Sequence, residues 1–248
     1  MSRRFASFLP ILLTLSAARA QEPSVDPVQN VRRIPQAGIT LSDDQRRILG
    51  GELARLKELY DGLAARETPP SRDTLADVYV LYKAVHDAVT YDEFFAPNDV
   101  AKARELLALG IARAERLVNQ EADWPGRTGL VVRGFVSKID GSVQPYGLVV
   151  PESYSPSGAV RYRLDVWFHG RGETLSEVNF LDQRRKVRGE FAPPDTIVLH
   201  PYGRYCNAFK FAGEVDVLEA IEAVKRNYRI DDDRISVRGF SMGGAAAW

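Results

Sequence analysis

The chain has 248 residues and a mass of 27.7 kDa, with 33 basic side chains against 33 acidic ones. It is 45% apolar and 27% charged, which excludes a disordered or fibrous protein and fits one large or two small globular domains. A formal charge of zero leaves no basic footprint for nucleic acid. The single cysteine, Cys206, excludes an internal disulfide. His86, His169 and His200 are too widely spaced for a zinc motif, so neither a metal nor another cofactor is expected.

Residues 1–20 read as a secretory signal peptide. A basic start, Met1-Ser2-Arg3-Arg4, precedes an apolar stretch, and Ala18-Arg19-Ala20 supplies the small residues of a cleavage site. The stretch is too short to span about 30 Å of hydrocarbon as a helix. Cleavage after Ala20 leaves 228 residues with a net charge of −3. The expected location is secreted or periplasmic, with no membrane association after cleavage.

Residues 21–40 contain three prolines and form an extended lead-in. Ser42-Asp43-Asp44-Gln45 has the form of a capping box. Leu49, Leu53, Leu56, Tyr60 and Leu63 follow at steps of three and four, one face of a helix. Thr68-Pro69-Pro70-Ser71 ends it. A second helix carries Val78, Leu81, Tyr82, Val85, Ala88 and Val89. A third begins at Pro97-Asn98-Asp99 and carries Val100, Ala103, Leu107, Ile111, Ala114 and Leu117. Residues 41–122 are therefore expected as a small helical N-terminal region.

After Trp124-Pro125-Gly126 the period shortens. Residues 130–139 and 143–150 are β-rich and meet at Asp140-Gly141-Ser142, a hairpin signal. Further strands are expected at 162–168, 196–199 and 234–238, with helices around 175–187 and 213–228. The second of these helices should turn Val217, Leu218, Ile221, Val224 and Tyr228 inward. Strands alternating with helices imply a mainly parallel α/β sheet covered on both faces, occupying residues 127–248.

The chemistry concentrates at Gly239-Phe240-Ser241-Met242-Gly243, a G-x-S-x-G nucleophile elbow. A strand-to-helix turn tight enough to expose the serine hydroxyl leaves no room for side chains two residues either side, hence the two glycines. A β-branched strand before it and the small-residue run Gly243-Gly244-Ala245-Ala246-Ala247 after it fit that turn. The second element is His169-Gly170-Arg171-Gly172, after the strand ending at Phe168. Acyl transfer needs backbone donors aimed at the developing oxyanion, and the amides of Met242 and Arg171 occupy the expected places. A dinucleotide-binding loop is excluded because Leu175 stands where the third glycine belongs.

Residues 130–248 resemble the first half of an α/β-hydrolase catalytic domain, and most resemble secreted serine hydrolases of the prolyl-oligopeptidase family. The resemblance is carried by Trp167-Phe168-His169-Gly170, His200-Pro201-Tyr202-Gly203, Gly213-Glu214-Val215-Asp216-Val217, and Ile230-Asp231 through Arg234-Ile235 into Gly239-Phe240-Ser241-Met242-Gly243-Gly244. It implies Ser241 as nucleophile, Met242 and Arg171 as oxyanion donors, and a peptide as substrate. Esterases of the feruloyl and polyhydroxybutyrate-depolymerase type share the frame, so an ester substrate is the alternative, and a non-catalytic binding module is a third. The short helical N-terminal region departs from the β-propeller usual in that family.

The triad order of this fold is Ser, acid, His, whereas all three histidines precede Ser241. The catalytic acid and histidine, and the later strands, are accordingly expected beyond Trp248 in a longer chain. The 248 residues by themselves should then be nearly inactive and prone to aggregate. Among other candidates, Glu214 and Asp216 answer a helix dipole more simply than they bind an amine. Asp231-Asp232-Asp233 reads as a helix-to-strand turn, Arg184-Arg185-Lys186 with Arg188 as a solvated helix end, His86 as structural and Cys206 as a passive thiol.

Overall fold

The computed structural model describes residues 34–248. Residues 1–20, expected as a signal peptide, and most of the expected lead-in lie outside the described residues. Three helices come first: α1 (Asp43–Ala64), α2 (Arg72–Thr90) and α3 (Asp99–Val118). The capping box forms as expected, with the Gln45 amide donating to Ser42 Oγ and the Ser42 amide donating to Gln45 Oε1. Ser71 caps α2 by accepting from the Thr74 amide. Asp99 instead accepts from the amides of Phe95 and Ala96, fixing the entry to α3.

After a single 3-10 turn at Trp124–Gly126 come β1 (Gly129–Val136), β2 (Val143–Val150), β3 (Tyr162–Phe168), α4 (Glu177–Lys186), β4 (Thr196–Pro201), α5 (Ala212–Asn227), β5 (Ile230–Gly239) and α6 (Met242–Ala246). The strands lie in the order β1-β2-β4-β3-β5. β2 runs antiparallel to β1 and β4, while β3 pairs in parallel with both β4 and β5. Among the described residues four strands thus point one way and only β2 opposes them, the mainly parallel α/β sheet expected. Among the described residues no helix is long and apolar enough to cross a membrane.

Alternation along the strands sends neighbouring side chains to opposite faces. Val132 joins one hydrophobic cluster with Leu49, Leu56, Leu81, Leu107 and Phe180, in which α2 and α4 lie against one face of the sheet and α1 and α3 pack onto the other helices. Val131 joins the other, with Leu164, Val166, Leu199, Val217 and Val224, beneath α5. Within α5 the inward set is Gly213, Asp216, Val217, Ala220, Ala223 and Val224. Leu218, expected inward, is 59% exposed; the small residues Ala220 and Ala223 let the helix approach the sheet on a neighbouring face instead.

One buried ion pair joins the helical layer to the sheet. Arg133 on β1 and Asp77 on α2 are both fully buried, with Arg133 Nη2 2.7 Å from Asp77 Oδ2. The same carboxylate accepts from Trp124 Nε1 at 2.8 Å and from the Gly134 amide at 3.0 Å. Arg113 on α3 donates to the Asp77 and Val132 carbonyls, each at 2.9 Å. Asp231-Asp232-Asp233, expected as a turn, instead belongs to β5, where the register jumps from Tyr162↔Ile230 to Leu164↔Ile235. The extra residues bulge out of the ladder, and Asp232 pairs with Lys225 at 2.9 Å.

The basic cluster at the end of α4 is not simply solvated. Arg185 and Lys186 pair with Glu105 and Asp182, and Arg184 lies across Gly147 to reach His200 Nδ1 at 3.1 Å. Burial, reinforced by the Arg184 cation, pushes the His200 imidazole down to about 3.

Removing one partner of a buried pair strands the other charge, at a cost of about 3–5 kcal/mol. Asp77→Ala should lower the unfolding free energy by about that amount in urea titration; a loss under about 1 kcal/mol would show that the pair does not hold the layers. His200 stays neutral in the fold but takes a proton in the unfolded chain below about 6.5. Its burial therefore favours unfolding progressively as pH falls from 6.5 towards 3. His200→Gln should flatten the decline of stability between pH 7 and pH 5 relative to wild type; parallel declines would refute the assignment.

Candidate active site

β5 ends at Gly239, α6 begins at Met242, and Ser241 stands between them at φ 54° and ψ −119°. That is the left-handed half of backbone space, which a serine adopts only when its surroundings enforce it. Two close approaches do so. A Cβ on Gly243 would lie 2.1 Å from the Phe168 carbonyl oxygen, and a Cβ on Gly239 would lie 2.1 Å from that of Gly243. The Gly243 amide closes the turn by donating to the Phe240 carbonyl at 2.9 Å. Ser241 is exposed as a result, and so is Phe240, at 70%.

Because Gly239 pairs with Phe168 across the β5–β3 ladder, the elbow emerges beside the segment that follows β3. A methyl on Gly170 would sit 3.6 Å from Ser241 Cβ. The His169-Gly170-Arg171-Gly172 segment and the elbow are therefore brought together. Arg171 follows at the surface with its guanidinium 3.1 Å from Glu173 Oε1. Met242 opens α6, where a helix has backbone amides without intrahelical partners.

Both ring nitrogens of His169 are engaged by backbone carbonyls. Its Nδ1 meets the Gly170 carbonyl at 2.8 Å and its Nε2 the Tyr202 carbonyl at 3.0 Å. The ring also packs 5.0 Å from Phe209. His200 is buried within β4 against Arg184, and His86 sits on α2 beside Asp87 and stacked on Tyr82. Glu214 opens α5 in its first turn. Asp216 is buried and bonded to Arg204 Nε at 2.6 Å, which commits it to the fold rather than to a ligand.

Sequence reasoning passed over Tyr205 and read Cys206 as a passive thiol, without a partner for it. The Cys206 thiol accepts from the Gly172 amide at 3.1 Å and donates to the Gly172 carbonyl at 3.0 Å. Burial raises this thiol above its ordinary value, which keeps it protonated and able to donate. A cavity of about 480 Å³ borders the same glycine, between Asp99 and Lys102 of α3 and Asn179 and Asp182 of α4. Ser241 is not among its lining residues; the serine stands past the carboxyl end of β5.

Gly243→Ala must displace either α6 or the end of β3. It should lower stability by about 1–3 kcal/mol, as overpacked sites do, measured by chemical denaturation. A fully stable alanine variant would contradict the close approach.

No family model matches the chain, and no curated protein matches it. Parts of solved structures are similar. A thermostable esterase shares 26% identity over 48% of this chain and 36% of its own, with a TM-score of 0.36. A ferulic acid esterase shares 24% over 48% of this chain and 52% of its own, TM-score 0.35. A putative dipeptidyl aminopeptidase IV from Bacteroides ovatus shares 16% over 47% of this chain and 18% of its own, TM-score 0.35. In each case the similarity spans about half, or less, of the solved chain.

Proposed function

We propose that the protein is an exported serine hydrolase that opens a carbonyl substrate through an acyl-enzyme on Ser241. The observation that supports this most directly is the exposed Ser241 at φ 54°, held on the β5–α6 turn against Gly170. In this reading the hydroxyl attacks the carbonyl carbon and a general base takes its proton. The amides of Met242 and Arg171 receive the negative charge on the former carbonyl oxygen. Water then releases the acyl group. His169 and His200 are committed to other contacts, so the base in this proposal lies outside the described residues.

Peptide amides are the first substrate class, as the sequence resemblance implies, and carboxylic esters the second. Export rests on the pattern of residues 1–20.

A fluorophosphonate probe should label the intact protein and fail to label Ser241→Ala. Turnover of prolyl peptides against p-nitrophenyl esters then separates the two substrate classes. Equal labelling of wild type and Ser241→Ala removes Ser241 as nucleophile, and no labelling of either favours a non-catalytic binding module.

A further inference from the structure

Residues 202–211, between β4 and α5, form a loop whose backbone is strained at five non-glycine positions. Arg204, Tyr205, Ala208, Phe209 and Phe211 all have φ between 56° and 76°. Such a run persists only where surrounding contacts over-determine it, and it tends to mark functional sites. The contacts are on both sides of the loop. On one side Arg204 straps it to the frame, reaching Asp216 at 2.6 Å, Asp140 at 2.6 Å and Ser137 Oγ at 3.1 Å. The Phe209 ring packs 4.7 Å from Phe168 and 5.0 Å from His169.

On the other side the loop grips the segment after β3 at three residues. The Tyr202 carbonyl meets His169 Nε2 at 3.0 Å. The Cys206 thiol brackets both backbone groups of Gly172. The Tyr205 hydroxyl donates to the Glu173 carbonyl at 2.6 Å. Arg171 lies between the gripped residues.

We propose that this loop is a clasp that sets the direction of the Arg171 amide, with Tyr205 and Cys206 as positioning residues. The inference rests on the serine hydrolase reading and deepens it, because a donor held by the clasp acts on the transition state alone. Removing an oxyanion donor outright slows acyl transfer by about 100- to 1000-fold. A donor allowed to drift should cost about tenfold in kcat with KM unchanged, the signature of an interaction made only in the transition state.

The experiment uses the intact protein with its general base present, and compares wild type, Cys206→Ala, Cys206→Ser and Tyr205→Phe, after thermal denaturation has confirmed that each is folded. Cys206→Ala and Tyr205→Phe should each lose about tenfold in kcat. Cys206→Ser, which keeps a donor and an acceptor, should recover part of the loss. Methyl methanethiosulfonate, which converts the thiol to Cys206–S–S–CH3 and releases methanesulfinate, should slow wild type and leave Cys206→Ser unaffected. Wild-type kcat in both Cys206→Ala and Tyr205→Phe, a change confined to KM, or a serine variant no better than alanine overturns the clasp. Amide exchange at Gly172 reads it without turnover: protection in wild type should be lost in Cys206→Ala. A wild type without turnover but with Gly172 protected refutes the hydrolase reading and leaves the clasp standing; an unprotected Gly172 refutes the clasp.

Discussion

The candidate site depends on how closely the elbow can settle onto the end of β3. Gly243 and Gly239 have no Cβ, and a Cβ at either would fall 2.1 Å from a backbone oxygen. That contact distance draws the start of α6 down onto Phe168 and leaves Ser241 at the crest of the turn. The Phe240 amide, 3.4 Å from the Phe168 carbonyl, continues the β5–β3 pairing into the elbow itself. Serine and the His169–Gly172 segment are neighbours because β5 and β3 are neighbours. The strained φ at Ser241 is the cost of that arrangement, borne by the parallel ladder beneath it.

The rest of the molecule divides by face. One hydrophobic cluster binds α1–α4 to the sheet, and the other lies beneath α5 with Met242 and Ala246 against it. The elbow belongs to the second face, and its packing draws on Leu164, Val166 and Phe168 of β3, the strand beside β5. That strand also carries Asp165, buried and bonded to Arg163 and Arg238.

What could be read in the sequence was what is local. The α1 face from Leu49 to Leu63 and the capping box at Ser42 are set by three- and four-residue steps, and both form. The elbow was legible for the same reason, since its glycines stand two residues from the serine they serve. Contacts between distant residues were not. Arg133 and Asp77 are 56 positions apart, and each taken alone reads as a surface charge. Cys206 meets Gly172 across 34 positions, and neither residue signals the other. Leu218 misled because helical spacing cannot tell which of two adjacent stripes the sheet will accept. The strained loop was hidden as well: its positive φ values fall on arginine, tyrosine, alanine and phenylalanine, residues that carry no turn signature.

The Asp77 carboxylate accepts from a strand guanidinium, a strand amide and an indole, all at one buried point. Such a lock has few intermediate settings, because sliding α2 by one helical turn would break all of these bonds together. The helical layer is therefore keyed rather than merely adhered. A graft exchanging residues 41–122 for another helical segment would have to carry an acceptor at position 77 matched to Arg133, or replace both at once. Inheritance of this layer should accordingly proceed by paired rather than single replacements.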